Sequence, residues 1–181
     1  MKIISDRLIL KEITWEDLGF IHELHSIPEI DEYNTLGIPK NVDETKEVIR
    51  PDIEDQKSDK RKKYCWIVST IKTNENIGLA GMSLSADRFN YGELYYKIIP
   101  EQWGNGYATE VTKALIKFGF KTLKLHRIIA GVQTENTRSR RVLEKAGMTR
   151  EGRHKKILPI RGEWKDNYHY AIVEDEYVEN L

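Results

Sequence analysis

Three features of the chain predict an α/β fold. In Glu93-Leu-Tyr-Tyr-Lys-Ile-Ile-Pro-Glu-Gln-Trp-Gly-Asn-Gly-Tyr-Ala-Thr109 a strand-like apolar run breaks at Pro100 and turns through Gly104 and Gly106. It then leads into Ala108, Val111, Ala114, Leu115 and Phe118, whose spacing is that of one helical stripe. A second strand with a β-branched core, Ile128-Ile129-Ala130-Gly131-Val132, is followed by Asn136, placed to cap a helix carrying Val142, Leu143 and Ala146, and by Gly147, placed to end it. Finally, 181 residues with 39% apolar and 32% charged side chains suit one domain with a sizeable core.

The remaining elements follow in order. Residues 3–12 read as one strand around Leu8-Ile9-Leu10. Thr14-Trp-Glu-Asp17 resembles a capping box, opening a helix with Leu18, Ile21 and Leu24 that Pro28 stops. Asn41 starts another, with Val42, Thr45, Val48 and Ile49 on a stripe, expected to end near Pro51. The mixed-sign run 52–63 reads as a solvated helix face or loop. Strands at 64–71 and 77–85, joined by the polar turn 72–76, read as a hairpin, and two last strands fall near 148–158 and 164–174. Cys65, the single cysteine, lies in an apolar run and reads as a buried strand residue rather than a catalytic thiol. There is no internal repeat, linker or low-complexity segment.

Lysine plus arginine equals aspartate plus glutamate at 29 each, so no basic surplus points to nucleic acid, and a phosphate-rich ligand would be held by local geometry. No segment has the apolar length of a membrane span, and the N-terminus lacks a signal-peptide core, which predicts a cytoplasmic protein. His22 and His25 share a helix face without a carboxylate or cysteine at ligand spacing, so no metal is predicted.

The glycine turn has chemical meaning. Glycines let backbone approach a ligand closely, and the first N–H groups of a helix lack intrahelical acceptors, so they can converge on phosphate oxygens. An Asn105-Gly106 hairpin would need an alternating strand beyond it, which is missing; a dinucleotide fingerprint would need glycine at Thr109, and the P-loop ending is absent. Asp6-Arg-Leu-Ile-Leu-Lys11 with Thr14-Trp-Glu-Asp17, Trp103-Gly-Asn-Gly-Tyr-Ala-Thr-Glu110, and Asn136-Thr-Arg-Ser139 through Glu144-Lys-Ala-Gly147 occur in this order. With these three pieces the chain resembles the GNAT N-acetyltransferases, most closely the branch that acetylates ribosomal-protein N-termini, over nearly its whole length.

The resemblance implies a single GNAT domain over residues 1–181, with a mostly antiparallel mixed sheet, helices on both faces, and two adjacent strands, 93–99 and 127–132, splaying into a V. Acetyl-CoA would enter it, its pantetheine pairing with backbone near Ile98 and Ile99 and its pyrophosphate resting on amides of Trp103, Gly104, Asn105, Gly106, Tyr107, Ala108 and Thr109. Asn136 would hydrogen-bond a cofactor amide or serve only as a cap. Arg138, Arg140 and Arg141 would reach its adenosine end or stay solvated.

An amine of pKa about 10 must lose a proton before attacking a thioester, and the departing thiolate gains from receiving one. The resemblance places Glu93 as the base, with an exposed strand-end carboxylate as the alternative. It offers Ser139 as the acid, because the tyrosine many relatives carry one helical turn later is Leu143 here. Tyr33 would edge the acceptor site. The implied activity is acetyl transfer from acetyl-CoA to a primary amine, either a peptide N-terminus or a small amine, by a monomer or homodimer. A cofactor-sensing module that has lost turnover is the rival, and Leu143 is the feature that leans towards it.

Overall fold

The computed structural model describes residues 1–178. Its strands are β1 (Lys2–Ile4), β2 (Leu8–Glu12), β3 (Lys63–Thr70), β4 (Asn76–Leu84), β5 (Tyr91–Ile98), β6 (Arg127–Gln133), β7 (Thr149–Ile160) and β8 (Glu163–Val173). The principal helices are α1 (Leu18–His25), α2 (Pro28–Asp31), α3 (Val42–Glu54), α4 (Tyr107–Lys117) and α5 (Thr137–Lys145). The strands form one sheet in the order β1-β2-β3-β4-β5-β6-β8-β7. Every neighbouring pair is antiparallel except β5 and β6.

Both faces of the sheet are buried over its middle, which is why β3 reads as the unbroken apolar run Tyr64-Cys-Trp-Ile-Val68. Tyr64, Trp66 and Val68 join Val111 and Leu115 of α4 and Leu143 of α5 in one cluster. Cys65 and Ile67 join Ile21 and Leu24 of α1 and Ile49 of α3 in another, on the opposite face. Trp66, fully buried, packs edge-on against Phe118 with ring centroids 5.2 Å apart. Burial of each such side chain contributes roughly 1.5–3 kcal/mol, so the two clusters together clamp the helices to the sheet.

Two expectations are corrected. The segment 3–12 is not one strand: Lys2 pairs with Lys11 and Ile4 with Ile9, so β1 and β2 form a hairpin that reverses over Ser5-Asp6-Arg7. Three polar residues interrupt the apolar pattern there, and Glu110 holds the turn through Ser5 Oγ (2.6 Å) and the Arg7 N–H (2.8 Å). Nor does Pro51 end α3, which runs one further turn to Glu54. Pro51 removes a bond to a residue on the exposed side, and Thr45 and Ile49 already anchor the buried stripe. The Thr14 capping box forms, although it opens a 3-10 turn before α1, and Asn41 and Asn136 cap α3 and α5 as their positions predict.

The parallel pair positions the site. β5 and β6 stay in register over three residue pairs only, ending at Glu93↔Ile129. Beyond that pair β5 runs on to Ile98 and β6 to Gln133, so the two strands part with their backbone edges open. The V that the resemblance implies is therefore present.

Candidate active site

A cavity of about 770 Å³ occupies this fork. One end is the glycine turn. Gly104 (φ +82°) and Gly106 (φ +80°) both adopt the left-handed region, and Gly106 is the residue from which α4 starts. Trp103, Gly104, Gly106, Tyr107, Ala108 and Thr109 line the cavity, whereas Asn105 does not. Asn105 is turned to structure: its carbonyl accepts from Arg7 Nη1 at 3.0 Å, and its side-chain amide donates to Gln102. Arg7 also pairs with Glu110 and lies over the Tyr107 ring, 4.7 Å from its centroid. The β1–β2 turn thus braces the glycine turn, a role the sequence motif contained without disclosing.

Trp103 has a use of its own. Its indole Nε1 donates to the Ile98 carbonyl at 2.6 Å, tying the glycine turn back onto the open edge of β5. Ile99 donates to the Ile77 carbonyl across β4 and accepts from the Gln102 N–H, so its backbone is engaged within the protein. By the alternation of an antiparallel pair, Ile98 then points its N–H towards the fork. Arg138 stacks over the Trp103 ring, 4.1 Å from its centroid, and its Nη2 reaches Glu32 Oε2 at 3.8 Å. Arg141 lines the cavity exposed, while Arg140 lies over the Tyr168 ring.

Ser139 stands in the first turn of α5, where its N–H donates to Asn136 Oδ1 at 3.0 Å. Its hydroxyl is 2.8 Å from the hydroxyl of Tyr96, on β5. This hydrogen bond spans the fork from one strand to the helix after the other, and both residues line the cavity. Burial pushes the Tyr96 phenol up to about 12, with the Ser139 bond opposing, so it remains a neutral donor across the physiological range. Leu143 does not face the cavity: it is 2% exposed and belongs to the core. Sequence reading did not single out Tyr96, because as the middle of Leu94-x-Tyr96-x-Ile98 it reads as an inward strand residue.

Glu93 is exposed, lines the cavity, and sits at the last parallel pair, where the sheet opens. Tyr95 and Lys97 follow on its face by strand alternation. Tyr95 fits because its partner across β4 is Gly81, where a Cβ would lie 2.3 Å from the tyrosine ring. Its hydroxyl donates to Cys65 Sγ at 3.2 Å, and burial pushes that thiol up to about 12, which makes it unreactive. His25 and Tyr33 complete this wing from α1 and the segment after α2. The Tyr33 phenol is raised by burial and then by Glu32 beside it. Asp52 and Lys63 from the supposedly solvated run also line the wing, and the Asp55 carboxylate accepts from the Lys62 and Lys63 N–H groups. Only the two ends of that run reach the site, and its middle, 57–60, is exposed as expected. His22 Nδ1 lies 2.8 Å from Thr45 Oγ1, linking α1 to α3. No group of three potential metal ligands occurs among the described residues.

A strand fork, a glycine turn opening a helix, and polar groups from both sides are the geometry that family comparison then identifies. Residues 7–149 match the family model described as an acetyltransferase (GNAT) domain. The chain belongs to the GNAT acetyltransferase family. It is 36% identical over 181 residues to a Bacillus subtilis protein described as an uncharacterized N-acetyltransferase, YnaD, covering 98% of this chain and 99% of that one. Among solved structures, a GNAT-family acetyltransferase from Bacillus anthracis superposes with a TM-score of 0.84 at 34% identity, covering 97% of this chain and 99% of its own. Spermidine N-acetyltransferase from Vibrio cholerae, in complex with CoA and spermine, superposes with a TM-score of 0.85 over 97% of this chain and 100% of its own. Its 24% identity makes that a likeness of fold. The protein is thus a GNAT N-acetyltransferase. No helix among the described residues is long and apolar enough to cross a membrane.

Proposed function

We propose that the protein transfers acetyl from acetyl-CoA to a primary amine by direct attack within a ternary complex held in the fork. The observation that carries this is the end of β5–β6 pairing at Glu93↔Ile129, which opens a cavity running from the glycine turn to the Glu93 carboxylate. The neighbour of like fold that carries CoA supports the choice of cofactor.

The pyrophosphate rests on the amides of Gly104 and of 106–109 at the start of α4, the Trp103 N–H being donated to the Pro100 carbonyl and Asn105 lying outside the cavity wall; each charge-assisted hydrogen bond there contributes about 1.5–3 kcal/mol. The pantetheine arm follows the open edge of β5 and meets the Ile98 N–H. Asn136 contributes chiefly through the cap that holds Ser139 in place. The amine loses its proton to Glu93, through water where it does not touch the carboxylate, and its lone pair attacks the thioester carbonyl. Collapse of the tetrahedral intermediate forms the amide and sends the C–S electron pair to sulfur, and the proton still carried by the nitrogen passes to that thiolate to give CoA thiol. Ser139 donates a hydrogen bond to that sulfur, and Tyr96 frees it to do so. A phenol is the better donor of the two hydroxyls, so Tyr96 donates to Ser139 Oγ and leaves the serine proton for the fork.

A cofactor-sensing domain without turnover is the second reading, favoured by the missing tyrosine at Leu143. Screening amines and N-terminal peptides for thiol release from acetyl-CoA separates the two. Release with at least one acceptor is expected; CoA binding with no release from any of them would establish the sensor.

A further inference from the structure

Asn167 of β8 is a buried polar side chain that the reaction as described does not use. It is 7% exposed and lines the cavity, and its Oδ1 has no hydrogen-bond partner among the described residues. An amide oxygen buried without a partner is unfavourable, so in a cavity wall it calls for a donor from an occupant. Its neighbours on the sheet do not supply one. Gln133, its partner on β6, commits its own amide elsewhere: Nε2 donates to Glu135 Oε2 at 3.1 Å, and Oε1 accepts from the N–H groups of Glu135 and Asn136. His169, next on the same face, stacks on His154 with ring centroids 5.5 Å apart.

Sheet register says which part of the occupant meets Asn167. Glu93 pairs with Ile129 and Ile129 with Ala171, so these three share a face, and every second residue shares it with them, including Gly131 on β6 and Asn167 on β8. Asn167 therefore stands on the Glu93 face. Its amide leans over Gly131, where a Cβ would lie 3.2 Å from both Oδ1 and Nδ2, so glycine leaves the amide its place beside the fork. The last torsion of an asparagine is soft, and a turn about it presents the oxygen to the cavity. Continued past Ile129, the register sets Gly131 level with Tyr95 along the strands, and Val132 level with Tyr96. The amide thus lies between the level of Glu93, the base, and the level of the Tyr96–Ser139 hydroxyls that meet the thioester sulfur. The reacting nitrogen must occupy that same stretch.

Resting on the acetyl-transfer reading, we infer that Asn167 orients the attacking amine, its Oδ1 accepting one N–H while Glu93 takes the proton that leaves. A deprotonated primary amine keeps two N–H bonds and one lone pair. With one N–H held at Glu93 and the other at Asn167, the lone pair is aimed at the thioester carbonyl carbon. No proton passes to the amide, which acts through the hydrogen bond alone. A secondary amine keeps a single N–H after deprotonation and satisfies only one of the two groups, so Asn167 makes the site selective for primary amines.

Thiol release from acetyl-CoA is measured with an alanine-initiated tripeptide, spermidine and propylamine, and the best of these is compared with its N-methyl counterpart in the wild type and in Asn167→Leu, which puts an apolar side chain of similar size in place of the amide. The variant is expected to lose at least tenfold in kcat/KM for the primary amine and much less for the N-methyl amine, with CoA affinity and melting temperature retained, since the oxygen removed had no partner in the fold. Asn167→Ala repeats the comparison should leucine fold poorly. Equal losses for the two amines together with a lowered melting temperature would assign the amide to the fold, and an unchanged rate with the primary amine would remove it from the site; either overturns the inference. If no amine supports release, the transfer reading fails, and calorimetric titration of the tripeptide into CoA-saturated protein decides: binding weakened by Asn167→Leu keeps the hydrogen bond without transfer, and binding that is absent or unaltered rejects it.

Discussion

Tyr96 and Ser139 meet across 43 residues of chain at 2.8 Å, and the value of that contact lies in its direction. If Tyr96 serves by orienting the serine proton, removing it matters only while Ser139 is present. Tyr96→Phe is expected to lower kcat about tenfold and Ser139→Ala about tenfold to a hundredfold, at the low end of acid–base effects, with little change in the KM for acetyl-CoA. The double variant should be no slower than Ser139→Ala, since residues acting as a unit are not additive. Losses that multiply would show that Tyr96 acts separately, and full activity of Ser139→Ala with an unchanged or raised melting temperature would reduce the serine to a helix residue. The sequence placed Ser139 in a first helical turn by its distance from Asn136, but could not show its partner. Long-range hydroxyl pairs leave no periodic trace, and a tyrosine between Leu94 and Ile98 looks like core. The Trp103 indole bond to the Ile98 carbonyl was hidden in the same way, because neither spacing nor composition marks a side chain that folds back on its own strand.

At the scale of elements, the legible parts were those with local signatures. Asparagine caps, the glycine that ends α5, the β3–β4 hairpin and the α4 stripe each follow from neighbours within a few residues, and each appears where expected. The β1–β2 hairpin and the extension of α3 past Pro51 were lost because tertiary contacts, through Glu110 in one case and the buried Thr45 and Ile49 in the other, outweigh local pattern. The glycine turn combines both kinds of information and yields a clean test. A Cβ at Gly106 would lie 3.5 Å from Arg7 Nη2, ordinary contact, so Gly106→Val acts through backbone conformation rather than a clash. At φ +80° valine is strained, and relief of that strain moves the amides that face the cavity. CoA affinity is expected to fall at least tenfold, about 1.4 kcal/mol, with unfolding still cooperative. Unchanged affinity by calorimetry would remove the phosphate-cradle assignment.

For the molecule as a whole, one parallel strand pair in an otherwise antiparallel sheet creates the site. Pairing through Glu93 and parting beyond it brings three things to one cavity: the start of α4, the hydroxyl pair on one face, and the Glu93–Tyr95–Lys97 face on the other. Helices on both faces keep the fork from closing by collapse, since α4 and α5 pack in one core cluster and α1 and α3 in the other. The central claim is that chemistry occurs at this fork with Glu93 as its base. The most direct measurement is turnover of Glu93→Gln on a confirmed acceptor, with CoA affinity measured on the same protein. A fall of about 10²–10⁴ in rate with CoA affinity retained is predicted; near-wild-type turnover would contradict the account and transfer the proton to water or to another group of the wing.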